Sequence, residues 1–360
     1  MAERTYRYEP DVVSPPGETL EEMLEDRHMT QKDLAQRMGR PLKTINEIIK
    51  GKAAITADTA LQLERVLGAP ASFWSQREAH YREYCSRVAE QERLAGFQDW
   101  VERLPLSWMR RHCGLSRTRD RTNSVKEALD FFGIASPAQW ETVYAEPQAA
   151  FRCNRPGPVV ATKLSPWIRK GELEAGRIVC APFDADRFKE VLKQIRGLTR
   201  EPPTVFQPKL ERLCASAGVV VAFVPAVPGT DISGLTRWLS PTKALIQLSL
   251  FGKFNDRLWF TFFHEAGHIL LHRKKLVFLE GAKGNGPMEQ EADRFAANLL
   301  IPPRNHDELQ LLPRSEKAIR VFADRIGIHP GIVVGRMQHE DLLPQSHLNK
   351  LKDRFELVEG

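Results

Sequence analysis

The sequence predicts a multidomain, mainly α chain with a small sheet: an all-α domain at the N-terminus and an α+β domain behind it. Three observations predict this. At 360 residues the chain exceeds a single typical core. Helix-period segments bounded by Gly and Pro dominate its first two hundred residues. From Gly218 the period changes to β-branched runs separated by turns.

Composition narrows the function classes. Lys and Arg outnumber Asp and Glu by 52 to 46, a net charge of +6 that is compatible with a nucleic-acid partner. Five scattered cysteines, Cys85, Cys113, Cys153, Cys180 and Cys214, show no Cys-x-x-Cys spacing, which argues for free thiols and against a disulfide framework or thiolate zinc site. The first residues lack an apolar signal region, and no run of about 18 apolar residues occurs. The expectation is a cytoplasmic protein with no membrane partner.

In chain order, residues 1 to 17 form a turn-rich arm ending in Ser14-Pro15-Pro16-Gly17. Thr19 is expected to cap a helix holding Leu20, Met23 and Leu24, and Thr30 with Asp33 to cap a second, Gln31 to Met38. After Gly39-Arg40-Pro41 a third helix, Leu42 to Lys50, turns Ile45, Ile48 and Ile49 inward. A fourth, Thr56 to Leu67, has Ala60, Leu61, Leu63 and Leu67 as its apolar face. Short helices with a tight Gly turn between the second and third are the signature of a helix-turn-helix. With the third helix in a major groove, Arg40, Lys43, Thr44, Asn46, Glu47 and Lys50 face base edges and phosphates, while Gln31 and its helix's first amides meet a phosphate.

Residues 16 to 95 resemble the XRE-type helix-turn-helix of the HigA antitoxin-like subfamily. The matching residues are Pro-Gly-Glu-Thr-Leu (16 to 20), Met-Thr-Gln-Lys-Asp-Leu-Ala (29 to 35), Ile-Asn-Glu-Ile-Ile-Lys-Gly-Lys (45 to 52), Ile-Thr-Ala-Asp-Thr-Ala-Leu-Gln-Leu (55 to 63) and Phe-Trp (73 to 74). The resemblance implies a double-stranded DNA operator, palindromic, read by a homodimer. The polar helix Ser75 to Leu94 serves as connector or dimer arm.

Residues 96 to 215 read as a mainly helical connector. Leu104-Pro105-Leu106 and the Arg-rich stretch from Gly114 to Asn123 are breaks, and Ser124 to Phe132, Pro137 to Tyr144, Phe183 to Leu198 and Pro208 to Ala217 are amphipathic helices. Trp140 and Trp167 belong to the core. Then Val219 to Val224, Ser233 to Leu239 and Ala244 to Leu248 are expected strands of a small sheet, one edge of which could receive an extended peptide.

The chemistry is concentrated in Leu258 to His272, an apolar helix that carries three imidazoles and a carboxylate. Buried ionisable groups need partners. His264 and His268, four apart, project from one helix face as two nitrogen ligands of a tetrahedral metal require. Glu265 lies about 100° round the helix, placed to take a proton from the attacking water without ligating, as in His-Glu-x-x-His. The bland alternative is a core helix with satisfied histidines.

A third protein ligand is needed. His272 lies about 6 Å further along the axis, too far to share the metal. A metzincin pattern is disfavoured, because Leu271 and Lys274 stand where it wants Gly and His. Beyond the loop Gly281 to Pro287, the helix Met288 to Leu300 offers Glu289 on the metal, with Asp293, four residues on, accepting the other N–H of a ligating imidazole. A shift at the helix start exchanges Glu289 for Glu291.

Residues 218 to 303 resemble the ImmA/IrrE family of zinc metallopeptidases, through His264-Glu265-Ala266-Gly267-His268, Leu270-Leu271-His272 and Glu-x-Glu-Ala-Asp-x-Phe-Ala-Ala-x-Leu-Leu-Ile-Pro from 289 to 302. The resemblance implies a gluzincin-like site with His264, His268 and Glu289 on Zn2+, Glu265 as general base, and a protein or peptide substrate, a repressor or a toxin. Asp293 stands where many relatives have Asn. A helical pair, Ser315 to Gln338 joined at Gly327 to Pro330, resembles the family's helical tail and is given no chemistry. The expected domains are 1–95 for DNA binding, 96–215 for the connector, 216–305 for the peptidase core and 306–360 for the tail. The function expected is regulatory proteolysis by a DNA-binding regulator. The alternative is an antitoxin or repressor whose metal domain is a sensor or partner-binding module with little turnover.

Overall fold

A computed structural model describes residues 13–145, 158–249, 254–272, 278–280 and 286–355. Cys153, most of the expected N-terminal arm and residues 281–285 of the expected loop lie outside the described residues. The chain forms two compact units, Met1–Gly96 and Phe97–Gly360.

The first unit is five helices: α1 (Pro16–Asp26), α2 (Gln31–Met38), α3 (Leu42–Ile49), α4 (Ala57–Leu67) and α5 (Ala71–Ala95). Leu20, Leu34, Ile45, Ile48, Leu63 and Trp74 make its core. Thr19 does not cap α1; the helix starts three residues earlier with Pro16 at its first position, where a missing N–H costs nothing. The Thr30–Asp33 pair forms the full capping box of α2, and Gly39 ends it in the left-handed conformation at φ 64°. Leu61 is 46% exposed, because the α4 stripe that packs inward runs through Thr59, Ala60 and Leu63 instead. A side chain at Gly17 would lie 2.2 Å from the Ile49 carbonyl, so its lack of Cβ lets α1 sit on the end of α3. Trp74 anchors the start of α5; over Ala79 to Arg93 that helix buries no side chain.

In the second unit one hydrophobic core joins Phe188 and Ile195, Val221 and Ile246, Trp259 and Phe262, and Phe322 and Val333. The expected boundaries at 215/216 and 305/306 therefore fall inside a shared core. The helix Arg121–Phe132 begins three residues before Ser124, capped by Asp120, and shortens the Arg-rich break. Pro137–Trp140 is α-helical and passes into a π-turn, Glu141–Ala145. The helix expected at Pro208 begins at Pro203. The helix Pro158–Arg177 has no counterpart among the expected elements, because Pro166 lies inside it and proline ordinarily breaks one. The neighbouring Trp167 is buried, its Nε1 donating to the Val224 carbonyl at 3.0 Å. Trp140 is buried too, donating to Ser165 Oγ at 3.1 Å. Cys85, Cys113, Cys180 and Cys214 are free, and burial pushes the Cys113 thiol up to about 12, well away from nucleophilic use.

The sheet has four strands, β1 (Val219–Phe223), β2 (Gly234–Ser240), β3 (Lys243–Leu248) and β4 (Phe278–Glu280), in the order β1-β3-β2-β4. β1 runs parallel to β3, with Val219 opposite Ala244, and β2 is antiparallel to both β3 and β4. β4, unseen in the sequence, forms one edge; at three residues it is too short to show a period. The helix Asn255–Leu271 packs on this sheet, with Thr261 and Glu265 against Gly234 of β2, buries Trp259, Phe262, Phe263 and Ala266 in the core, and packs against the helix Pro287–Leu300. A Cβ on Gly267 would lie 3.3 Å from the Ala292 Cα, so this glycine sets the close approach of the two helices that carry the site.

Candidate metal centre and recognition helix

The two site helices bring His264, His268 and Glu289 together, with one ligand atom from each within 4.8 Å of the others. His264 Nε2 lies 2.9 Å from His268 Nε2 and 3.2 Å from Glu289 Oε2, and His268 Nε2 lies 3.5 Å from Glu289 Oε1. Tetrahedral zinc with bonds near 2.0–2.1 Å would separate its ligand atoms by about 3.3 Å. The donor set and its spacing fit such an ion. Both imidazoles are 2% exposed, so their ring nitrogens converge in a site shielded from water.

The outer nitrogens are also held. His264 Nδ1–H donates to Asp293 Oδ1 at 2.8 Å, which turns the Nε2 lone pair toward the cluster. His268 Nδ1 lies 2.9 Å from His272 Nδ1, and His272 Nε2 lies 3.2 Å from Glu291 Oε2. With His268 donating to His272 and His272 onward to Glu291, these three residues form a relay that orients His268. His272 therefore sits behind His268, and Glu291 sits behind His272 and away from the cluster. The rotation of about 100° per residue along the helix separates Glu289 from Glu291.

Electrostatics poise the set for a cation. Burial would raise the Glu289 carboxyl, but the His264 and His268 rings that face it favour its ionised form more strongly and bring it down to about 2. Burial pulls His268 below the usual histidine value, and nearby His264 adds to the shift. Neutral imidazoles and an ionised carboxylate are the forms a metal needs. Metal affinity is therefore expected to hold level through the usual histidine range and to fall only below it, where protons begin to compete for the His268 imidazole that burial has shifted down. Zinc competition against a chromophoric chelator measures this. Affinity that begins to fall already above the usual histidine range would show that His268 does not govern it.

Glu265 is fully buried. Thr236 Oγ1 of β2 donates to its main-chain carbonyl at 3.0 Å, and a Cβ on Gly234 would lie 2.9 Å from its Oε1. The first residues of β2 thus form the wall against which the carboxylate lies. The sequence pattern identifies Glu265, whereas Gly234 and Thr236 carry no signal because their role depends on strand placement.

In the first unit, Lys43 on α3 and Lys50 just past its end are exposed, and Thr44, Asn46 and Glu47 are partly so. Lys43 lies 3.8 Å from Glu47, an exposed pair of little energetic weight. Asn46 Nδ2 donates to Gln31 Oε1 at 3.4 Å, joining the start of α2 to the α3 surface. Arg40 departs from its expected freedom: its Nε donates to Gln62 Oε1 at 2.6 Å, which ties part of the guanidinium to α4. Leu42, at the first position of α3, is 47% exposed. It is absent from the expected DNA-facing residues because an apolar residue in a helix is ordinarily assigned to the core.

Residues 20–74 match the family described as Helix-turn-helix, and residues 255–337 match the family described as IrrE N-terminal-like domain. The virulence-associated protein I of Dichelobacter nodosus is 37% identical over 79 residues, which cover 22% of this chain and 70% of that protein. Among solved structures, an addiction module antidote protein of a HigA family from Coxiella burnetii is 28% identical, covering 23% of this chain and 92% of that one with a TM-score of 0.22. Pseudomonas aeruginosa antitoxin HigA with the higBA promoter is 26% identical, covering 23% and 90%, also at 0.22. No helix among the described residues is long and apolar enough to cross a membrane. The chain belongs to the XRE-type helix-turn-helix family through its first unit and carries, in its second, a peptidase-like domain of the ImmA/IrrE family.

Proposed function

We propose that this chain is a cytoplasmic, homodimeric transcription regulator that binds a palindromic operator and acts as a zinc-dependent endopeptidase in regulatory proteolysis. The observation that carries the reading is the convergence of His264, His268 and Glu289 beside the buried carboxylate of Glu265. Zinc held there supplies a Lewis acid that acidifies water toward neutrality and polarises a scissile carbonyl. Glu265 takes the proton of the attacking water and delivers it to the leaving amine. Asp293 and the His272–Glu291 relay keep the two imidazoles aimed, and the packed helices and β2 hold Glu265 in place.

Zinc-loaded protein, incubated with itself and with helix-turn-helix repressors, tests the enzyme reading. Cleavage that a chelator abolishes and zinc restores supports it. If no chain is cut while zinc alters operator affinity, the domain is a sensor and the enzyme reading fails.

On DNA, α3 enters the major groove, where Lys43 and Lys50 meet phosphates, Thr44, Asn46 and Glu47 face base edges, and Leu42 offers an apolar surface to a thymine methyl. Gln31 positions the start of α2 on a phosphate, and the part of Arg40 left free by Gln62 adds charge. Lys43→Ala and Lys50→Ala are each expected to weaken binding across sequences and to lower the salt slope by about 1, the change that follows when one phosphate is no longer neutralised. Titrations at several salt concentrations read this; an unchanged slope in both variants would move the interface elsewhere.

A further inference from the structure

Residues 102 to 121 of the second unit hold six arginines, Arg103, Arg110, Arg111, Arg117, Arg119 and Arg121, against Glu102 and Asp120. That is a net of +4 within a short stretch of a chain whose whole net charge is +6. The fold gathers these side chains. Arg121 opens the helix Arg121–Phe132 and pairs with Glu102 at the end of the helix Gln98–Glu102, Nη1 to Oε1 at 2.9 Å, and Arg103 is the next residue. Arg110, in the last turn of the helix Leu106–His112, donates to the Thr118 carbonyl at 3.5 Å, between Arg117 and Arg119. The loop that carries those two is itself held. The Ser116 amide donates to Glu127 Oε2 at 3.0 Å, and the Asp120 amide donates to Thr118 Oγ1 at 3.0 Å.

Both acids of the stretch are engaged. Glu102 takes Arg121, and Asp120 accepts the Thr122 amide at 2.9 Å as the cap of its helix. Arg103, Arg111, Arg117 and Arg119 are exposed and make no ion pair among the described residues. Like charges held together without counter-charge repel one another, so the arrangement favours an anionic partner. A fixed loop that presents several guanidinium groups at once suits a partner with several negative charges in a row, and the arginine fork matches phosphate oxygens. The large apolar residues Leu104, Trp108, Met109 and Leu115 are buried. A membrane surface ordinarily takes exposed apolar residues along with the charges, and this face does not offer them.

We propose that this arginine face is a second DNA contact, which binds the phosphates of duplex DNA without regard to sequence. The proposal rests on the DNA-binding reading above: the helix-turn-helix brings a duplex to the chain, and a second contact on the same chain then forms as an intramolecular step. Base readout stays with α3, while the arginines add affinity and salt dependence. The stretch, which by sequence is only a break in a connector, thereby becomes part of the DNA-binding surface.

The test titrates the full chain against two duplexes of equal length, one selected by the wild-type chain from a random pool and one of mixed sequence, from about 50 to about 200 mM salt. A triple variant, Arg111→Gln, Arg117→Gln and Arg119→Gln, is expected to lower the salt slope by about 3 on both. Over that range the wild type then loses about fortyfold more affinity than the variant. The ratio between the two duplexes is expected to stay within about threefold, because phosphates carry no sequence information. Lysine at the same three positions should restore the slope, since the charge alone sets counterion release. A slope that stays low with lysine, or a ratio that collapses, overturns the proposal. An unaltered slope in the glutamine variant overturns it and leaves operator binding standing. If no sequence is selected but the mixed duplex binds with a slope that the glutamine variant lowers, the operator reading fails and the arginine face stands; if the wild type binds neither duplex, both fail. Phosphatidylserine vesicles that bind through these arginines more tightly than the mixed duplex would make the partner a membrane and overturn the assignment to DNA.

Discussion

Glu265→Gln is expected to lower kcat/KM by about 10² to 10⁴-fold, the range that a positioned general base contributes, with metal content unchanged. Gln has the size and shape of Glu but cannot accept the proton of the attacking water. The carboxylate is fully buried against β2, so water cannot easily replace its function from bulk. Because Glu265 lies outside the His264–His268–Glu289 set, its loss leaves the ligand atoms in place. The measurement is turnover on the peptide that the wild-type chain cuts fastest, paired with metal analysis of the same preparation. Turnover within threefold of wild type would remove Glu265 from the role of base. Loss of metal together with activity would make it a ligand or a structural support.

Glu289→Gln is expected to reduce zinc from about one ion per chain to near none at micromolar metal, since two imidazoles cannot hold a tetrahedral site alone. Glu291→Gln is expected to retain the ion, with affinity reduced by about tenfold at most, because Glu291 acts only through His272. Asp293→Ala should fall between them at about 10–100-fold, the cost of releasing the partner of a ligating imidazole. Glu and Gln have similar helix propensity, so the fold of Pro287–Leu300 is little disturbed and the comparison isolates ligation. Equilibrium dialysis reads all three. An unaltered stoichiometry in Glu289→Gln, or a larger loss in Glu291→Gln, would exchange their roles.

The parts legible from sequence are those whose signal is local. His264, Glu265 and His268 share a helix turn, so residue type and a four-residue step place them without reference to any other element. The capping box Thr30–Asp33, the left-handed Gly39 and the inward Ile45, Ile48 and Ile49 are likewise decided within a few residues of chain. Where the local rule has exceptions it misleads. Pro166 hides a helix of 20 residues, Thr19 suggests a cap that Pro16 makes unnecessary, and periodicity turns Leu61 inward although its neighbours fill that face. Leu42 escapes notice for being apolar, a property that says nothing about whether a face is covered.

By itself the sequence determined that the chain joins a helix-turn-helix to a helix with two metal-ready histidines and a carboxylate between them. Helix geometry is set by nearest neighbours, so a pattern of about two turns suffices to state it. Only the tertiary structure decided which carboxylate approaches those histidines. Glu289 and Glu291 are two residues apart and chemically alike, and their difference arises from how the Pro287–Leu300 helix is rotated against the Asn255–Leu271 helix at Gly267. It also decided that β2 walls in Glu265. Those relations join residues far apart along the chain. They depend on packing, which buries whole faces at once and leaves no mark on the local spacing of any one segment.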